Sequence, residues 1–124
     1  MGKVDVKIYC ADLETTGLLH HLEQQGDLAR LHNFCARSLD TDKTYLLRDL
    51  DDVKRFVDRD IILIMHNGIC YDRQALKFFG CDVSKVHFVD SLALAWYLEL
   101  GSPRFGLESY GDEFGVPKPK IKDW

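Results

Sequence analysis

Two acidic residues near the N-terminus, Asp12 and Glu14, have a spacing that suits cation binding. The segment before them, Val4–Cys10, alternates between Val, Ile and Cys on one side and Asp, Lys and Tyr on the other, which indicates a half-buried β-strand. Residues two apart on a strand share a face, so both carboxylates project the same way. Close carboxylates repel each other unless a cation lies between them, and Mg²⁺ and Mn²⁺ prefer such oxygen ligands. The pair is predicted to form half of a metal site, although it also fits a turn cap or a solvated face.

A third acidic residue, Asp72, follows a second buried segment. Ile61–Met65 is apolar at every position, as is typical of a strand covered on both faces in a mostly parallel sheet. If it lies beside the first strand, both end at the sheet edge where α/β folds bind ligands. Asp12, Glu14 and Asp72 would then converge, and three such carboxylates suit a pair of ions about 4 Å apart that promotes in-line phosphoryl displacement. Asp72 also fits a helix N-cap, and Asn67-Gly68 fits a tight turn.

The remaining pattern predicts the elements that position these residues. Strands are predicted at Val4–Ala11, Asp27–Leu39, Lys43–Leu47, Ile61–Met65 and Val86–Val89, and helices at Leu50–Val57 (capped by Asp49), Arg73–Phe79 (closed by Gly80), Leu92–Leu100 (capped by Asp90 or Ser91) and Leu107–Phe114 (ended by Gly115). His20–Gly26 is interpreted as a solvated loop and Asp40–Asp42 as a turn. Three antiparallel strands followed by alternating helices and strands indicate a mixed α/β sheet.

Composition places the chain among ordinary globular proteins. Its 124 residues, 46% hydrophobic and 11% aromatic, predict one domain spanning 1–124. No apolar run reaches the roughly twenty residues of a membrane span, and no signal-peptide pattern begins the chain. The four cysteines lack zinc-site or redox spacing, so they are predicted to be reduced, mostly buried thiols of a cytoplasmic protein.

The formal net charge of −4 limits how the chain could meet nucleic acid. It excludes a strong grip through bulk positive charge. It is compatible with an enzyme that meets phosphates through bound metal ions, because the ions reverse the local sign. A short basic tail, Lys118–Lys122, offsets the acidity only in part, so DNA binding is expected to be weak and salt-sensitive.

Two sequence motifs carry a resemblance to a known family. Asp12–Leu18 (DLETTGL) and His66–Asp72 (HNGICYD) resemble the first two motifs of the DEDD superfamily of DnaQ-like 3′–5′ exonucleases. The HNGxxYD form is similar to the proofreading domains of phage family-A DNA polymerases. The likeness continues through Asp90–Leu92, Arg104–Leu107 and Lys122–Trp124, and therefore covers essentially the whole chain. It implies a ribonuclease-H-like fold and location in the cytoplasm, of the host if a phage encodes the protein.

The resemblance also implies a role for each motif residue. Asp12 would bridge two Mg²⁺ or Mn²⁺ ions, Glu14 would hold the ion that carries the attacking water, and Asp72 would hold the second ion. The implied substrate is a single-stranded DNA 3′ end, with RNA as the alternative. The implied substrate-binding residues are Thr15, Thr16, Gly17, Leu18, His66, Asn67 and Tyr71.

One part of the family pattern is missing. A third motif, Tyr-x-x-x-Asp or His-x-x-x-x-Asp on a later helix, supplies a fourth carboxylate and a group that orients or deprotonates the water. Nothing after Tyr110 has this spacing, since Asp112, Glu113 and Asp123 are misplaced. Loss of general-base help costs about 10²–10⁴-fold in rate. The resemblance therefore implies a C-terminally truncated fold, with a sheet face that needs a partner.

Three functional hypotheses remain. The chain is a nuclease whose last motif comes from a polymerase, another chain or a longer parent polypeptide. Alternatively, it is a weakly active or inactive relative that binds a nucleic-acid end or a protein. In the third hypothesis it is an interaction domain that dimerises through its uncovered face. The three acidic residues favour metal binding over the third hypothesis, because unneutralised carboxylates would otherwise lower stability.

Overall fold

A computed structural model describes residues 6–99 and 105–116 of the chain. The chain divides into two units, Met1–Ser91 and Leu92–Trp124. The first contains a five-stranded mixed sheet of order β3-β2-β1-β4-β5. The strands are β1 Lys7–Thr15, β2 Leu31–Ser38, β3 Thr44–Leu47, β4 Ile61–Met65 and β5 His87–Asp90, and the helices α1 Leu19–Gln25, α2 Leu50–Val57, α3 Asp72–Phe78, α4 Ser91–Leu98 and α5 Leu107–Phe114.

The direction of the strands confirms the predicted mixed sheet. β1, β2 and β3 form an antiparallel meander, and β4 and β5 run parallel to β1. β1 pairs with β4 only over Lys7–Cys10, whereas its pairing with β2 continues through Glu14. The end of β1 that carries the acidic residues therefore projects past the carboxyl end of β4, where ligands of α/β sheets bind.

The core lies on one face of the sheet, under α1, α2 and α3. Tyr9 and Leu13 of β1 are buried, while Cys10 on the opposite side is exposed. The alternation was therefore predicted correctly, but the most buried face is that of Tyr9 rather than of Ile8 and Cys10. The reason is aromatic packing, since the Tyr9 ring meets the Phe56 ring of α2 at 5.0 Å.

Local signals set the ends of several helices as predicted. Asp49 caps α2 by accepting hydrogen bonds from the backbone N–H groups of Asp51 (2.8 Å) and Asp52 (3.4 Å). Gly80 (φ 83°) and Gly115 (φ 74°), which follow α3 and α5, have left-handed backbones that glycine adopts without strain.

The segment predicted as a solvated loop, His20–Gly26, is instead largely helical. α1 covers Leu19–Gln25, and a 3₁₀ turn follows over Gly26–Leu28. Leu22 is fully buried and Leu19 packs on the core, so apolar residues three apart anchor the helix through one face. The prediction was wrong because the polar residues of α1 face solvent without preventing this packing.

The basic tail Lys118–Lys122, predicted from the sequence, lies outside the described residues. Cysteines are all free, but only Cys81 is buried, so the prediction of mostly buried thiols was wrong. Among residues 6–99 and 105–116, no helix is both long and apolar enough to cross a membrane.

Candidate active site

Asp12 and Glu14 lie on the end of β1, on the same exposed side of the strand. Asp12 is in register with Cys35 of β2, and Glu14 with Asn33. Register shifts between Glu14 and Thr15, so a bulge re-aims the chain directly after the acidic pair. One oxygen of Asp12 accepts a hydrogen bond from the Leu13 backbone N–H at 3.0 Å. The predicted shared face is confirmed.

Asp72 is the first residue of α3 and is 4% exposed. The alternative prediction for this residue, a helix N-cap, was wrong, because Tyr71 holds the N-cap position. Among the described residues none donates a hydrogen bond to the Asp72 carboxylate, whose oxygens nevertheless keep some access to solvent. A buried carboxylate without a donor is costly unless it is protonated or bound to a cation.

Electrostatics connect Asp72 to the acidic pair on β1. The pKa of Asp72 is raised to about 7, chiefly by burial and then by the nearby charges of Asp12, Asp90 and Glu14, in that order. Partial burial of its carboxyl group also raises the pKa of Asp12, against the hydrogen bond from Leu13. Carboxylates from β1, the start of α3 and the end of β5 therefore lie close enough to repel one another.

The acidic side chains are of a type that binds divalent ions, but they are not arranged around a common point in this structure. Within 6–99 and 105–116, no three His, Cys, Asp or Glu side chains are grouped tightly enough to hold an ion as they stand. Oxygen donors of this type suit Mg²⁺ and Mn²⁺. The buried, donor-free carboxylate of Asp72 is the residue that a cation would stabilise most.

Tyr71 joins the start of α3 to the turn after β1. Its hydroxyl donates to the Gly17 carbonyl oxygen at 2.7 Å and lies 2.5 Å from the Thr15 hydroxyl. The Thr15 hydroxyl also lies 2.7 Å from the same carbonyl oxygen. These contacts tie the start of α3, where Asp72 lies, to the turn that follows Asp12 and Glu14.

The predicted substrate-binding turn lines a cavity of about 350 Å³. Gly17 packs so closely on α1 that an added Cβ would lie 2.8 Å from the His21 Cβ. Leu18 is 57% exposed, and its N–H donates to the His21 ring at 3.4 Å. The cavity is lined by Leu13, Glu14, Thr15, Gly17, Leu18, His21 and Tyr71.

Thr16 faces a different set of partners. Its hydroxyl donates to the Gln25 side chain at 2.5 Å and accepts from the Arg30 backbone N–H at 3.2 Å. Its own N–H donates to the Arg30 carbonyl at 3.0 Å. Thr16 thus ties the end of β1 to α1 and to the start of β2, and it is absent from the lining of the cavity.

His66, Asn67 and Gly68 form the tight turn that was predicted between β4 and α3. Asn67 has a left-handed backbone (φ 60°), and the Gly68 N–H donates to the Met65 carbonyl at 3.3 Å. His66 is half-buried and its ring lies 3.0 Å from the Ser91 hydroxyl. Among the described residues, neither His66 nor Asn67 lines the cavity beside Glu14.

Two residues at the site escaped the sequence reasoning. His21 lines the cavity because the segment around it is helical, and the apolar spacing of Leu19 and Leu22 was the signal that could have revealed this. Asp90, expected as a helix cap rather than a metal ligand, accepts hydrogen bonds from the turn before Asp72. No local pattern could have shown that contact, since it joins segments more than twenty residues apart.

The architecture is a ribonuclease-H-like α/β fold, and solved structures share it. Brucella melitensis NrnC bound to pGG has a TM-score of 0.67 and 20% identity, covering 96% of this chain and 58% of NrnC. NrnC with bound Mg²⁺ has a TM-score of 0.63 and 24% identity, with 97% and 59% covered. Escherichia coli ExoI, in a zinc-bound complex with single-stranded DNA, has a TM-score of 0.57 and 14% identity, with 86% and 34% covered.

These likenesses define the fold of the chain. No protein-family profile and no curated protein matches it. The chain spans less than three fifths of the length of NrnC.

Proposed function

We propose that this chain is a metal-dependent 3′–5′ exonuclease, which hydrolyses phosphodiester bonds at single-stranded DNA ends. It contributes three of the acidic residues of the active site, Asp12, Glu14 and Asp72. The observation that carries the proposal is the environment of Asp72. This residue is buried, receives no hydrogen bond from the described residues, and lies close enough to Asp12 and Glu14 for their charges to raise its pKa. A cation at this position would relieve the repulsion and the cost of burial together.

The proposed roles are those that the resemblance of the two motifs implies. Asp12, Glu14 and Asp72 would hold the divalent ions, with Asp12 contributing to both. Bound Mg²⁺ or Mn²⁺ supplies activation of the attacking water and stabilisation of the leaving oxygen. Glu14 lines the cavity next to Gly17 and Leu18, so a terminal nucleotide in that cavity would place its phosphate beside the acidic residues.

Tyr71 acts on the geometry of the site. Its hydroxyl is committed to Thr15 and the Gly17 carbonyl, so it holds the nucleotide-binding turn against the start of α3. The exposed Leu18 side chain offers an apolar surface for the terminal base. Neither contact reads base identity, which fits an enzyme that trims ends of any sequence.

The fold neighbours support the choice of substrate class and cofactor. NrnC has been solved with pGG and with Mg²⁺, and ExoI with single-stranded DNA. A DNA 3′ end remains our proposed substrate, with RNA as the alternative for the test. A proofreading domain of a phage family-A DNA polymerase is the setting that the motif forms favour.

The fourth carboxylate and its neighbouring Tyr or His are proposed to come from a polymerase, another chain or further polypeptide. The observation favouring this is that no three acidic, His or Cys side chains within the described residues are grouped for an ion as they stand. The same observation favours the second candidate, a catalytically weak relative that binds a nucleic-acid end. A homodimer is the third arrangement to be tested.

Metal binding is tested first, by thermal unfolding during titration with Mn²⁺ and with Mg²⁺. The wild-type chain should gain stability, by about 2.7 kcal/mol when the ion is at 100 times its dissociation constant. Asp12→Ala should remove most of that gain. Asp60→Asn is the matched control, because this exposed residue changes the same charge at the opposite end of the sheet. Equal gains in all three proteins would refute the proposed site.

Hydrolysis is tested with a single-stranded DNA labelled at its 5′ end. The chain should shorten it from the 3′ end slowly with Mn²⁺, and Asp12→Ala should be inactive. Binding of the DNA without any shortening would identify the second candidate. No difference between the wild-type chain and Asp12→Ala would overturn the enzymatic proposal.

A further inference from the structure

Asp90 contacts the turn that leads into the proposed site. It is the last residue of β5, in register with Met65 at the end of β4, and is 8% exposed. One carboxylate oxygen accepts from the Asn67 N–H at 2.9 Å, and the other accepts from the Ile69 N–H at 3.3 Å. A buried carboxylate with two backbone donors is a strong, directional anchor.

The anchored turn is the segment that places Asp72. Its internal bonds run from the Tyr71 N–H to the Asn67 carbonyl (3.1 Å) and from the Arg73 N–H to the Gly68 carbonyl (2.8 Å). They shape the turn but do not attach it to the sheet beyond Met65. Asn67 also has a left-handed backbone, which asparagine adopts more readily than most other residues with a side chain. The contact with Asp90 holds this conformation in place.

A second contact acts in parallel. The His66 ring lies 3.0 Å from the hydroxyl of Ser91, the residue after Asp90. The end of β5 therefore meets the 66–69 segment at three points: one side-chain pair and two backbone N–H groups. Because the ends of β4 and β5 are adjacent in the sheet, these contacts fix the turn relative to the strand framework.

We propose that Asp90 is a positioning residue, whose grip on the Asn67 and Ile69 amides sets where Asp72 and Tyr71 stand and thereby tunes the metal affinity of the site. The inference rests on the proposed function for its metal, and on the hydrogen bonds of Asp90 for its geometry. A metal-ligand role for Asp90 is the competing explanation, since its charge reaches Asp72.

The experiment compares Asp90→Ala and Asp90→Asn with the wild-type chain. Alanine removes both acceptor oxygens, while the isosteric asparagine keeps one and preserves the volume of the side chain. Asp60→Asn is the control for charge, since Asp60 is exposed and contacts the His87 ring at the start of the same strand. The readouts are hydrogen exchange at the Asn67 and Ile69 amides, the ¹³C resonance of the Asp72 carboxyl in EDTA, and the dissociation constant for Mn²⁺.

The positioning role predicts a graded pattern. Asp90→Ala should deprotect the Asn67 and Ile69 amides, move the Asp72 resonance and raise the Mn²⁺ dissociation constant by roughly 10–100-fold, as residues behind metal ligands do. Asp90→Asn should show the same changes at smaller size, with only one of the two amides fully deprotected. Amides in β4 should stay protected in both variants, which shows that the sheet is folded.

Two outcomes overturn the inference. Unchanged amide protection together with unchanged Mn²⁺ affinity in Asp90→Ala excludes any positioning role. Lost Mn²⁺ binding in Asp90→Asn, with both amides protected and the Asp72 resonance unmoved, identifies Asp90 as a ligand. If the wild-type chain binds no Mn²⁺, the proposed function fails, while amide exchange and the Asp72 resonance still decide whether Asp90 positions the turn.

Discussion

At the scale of single residues, the site is dominated by carboxylates whose burial and repulsion oppose ionisation. Asp72 is the extreme case, because burial and three neighbouring acidic groups raise its pKa to about 7. A group of this kind lowers the stability of the metal-free protein and raises its affinity for a cation by the same electrostatic logic. The proposed metal-binding function of Asp72 would therefore conflict with the stability of the metal-free protein.

Substituting Asp72 with Asn should abolish the pH dependence that this residue gives to the free energy of unfolding. Since the folded state holds the proton of Asp72 more tightly than the unfolded chain, the free energy of unfolding falls as pH rises from about 4 to about 7. Above about pH 7, Asp72 is ionised in the folded state and its full destabilising effect on the folded protein is present. In EDTA, Asp72→Asn should therefore stabilise the protein at about pH 8 by up to about 4 kcal/mol, with little change near pH 4.

Urea unfolding at the two pH values measures this effect, with Asp60→Asn as the control for charge. Equal destabilisation of Asp72→Asn at both pH values would show that Asp72 is not held in an unfavourable ionised form. With saturating Mn²⁺ the order should reverse, because only the wild-type carboxylate gains from the ion.

Removing the Tyr71 hydroxyl should loosen the link between α3 and the turn after β1. Tyr71→Phe leaves the ring in place but removes the hydrogen bond to Gly17 and the contact with Thr15. We expect a loss of about 1 kcal/mol in unfolding free energy and weaker binding of the DNA end. Tyr97→Phe is the control, since Tyr97 is 79% exposed. Equal DNA affinity in Tyr71→Phe and the wild-type chain would exclude a bracing role.

At the scale of elements, the site depends on three short segments at one edge of the sheet. β1 outruns β4 and presents Asp12 and Glu14 beyond it. The turn after β4 then reverses the chain so that α3 begins with Asp72. The backbone of this turn is tightly packed, and a Cβ at Gly68 would lie 2.6 Å from the Met65 Cβ.

Gly68→Ala should therefore disturb both stability and metal binding. The added methyl group must displace Met65, which is 1% exposed, and overpacking of this kind costs about 1–3 kcal/mol. Gly106→Ala is the matched control, because nothing lies within 4 Å of a Cβ at Gly106. Denaturant midpoints and Mn²⁺ affinity measure the two effects. Equal behaviour of the two variants would contradict the tight turn.

At the scale of the whole molecule, the described residues leave unusual amounts of apolar surface open. Trp96 is 53% exposed, Tyr97 79% and Leu98 72% in α4, a helix with apolar residues on all sides. Such helices are normally covered by other polypeptide. The chain also spans less than three fifths of NrnC. The test of the proposed completion of the site by further polypeptide is therefore an experiment that supplies it.

Supplying a C-terminal segment with the missing third motif should increase the rate of DNA hydrolysis. A fused C-terminal segment bearing a Tyr-x-x-x-Asp helix should raise the hydrolysis rate by about 10²–10⁴-fold, the size of general-base help. The matched control is the same fusion with that Asp changed to Ala, which covers the same surface without supplying the acid. Equal rates for the two fusions would show that covering, and not the carboxylate, limits activity.

Much of the element pattern was predictable from the sequence, because it depends on local signals. A continuous apolar run placed β4, apolar periodicity placed α2, Asp49 marked the start of α2, and glycines marked the ends of α3 and α5. The helix at Leu19–Gln25 was not predicted, since a short amphipathic segment with many polar residues depends on the packing of Leu22 for its stability. Whether 1–124 acts as one domain stays a prediction.

By itself, the sequence singled out the residues proposed to bind a metal and showed that Asp12 and Glu14 share one side of β1, because strand geometry fixes the direction of residues two apart. Only the tertiary structure decided that Asp72 is buried without capping its helix, and that Asp90 holds the turn before it. Both facts depend on contacts between segments distant in the chain, and no local pattern encodes the free energy of such contacts.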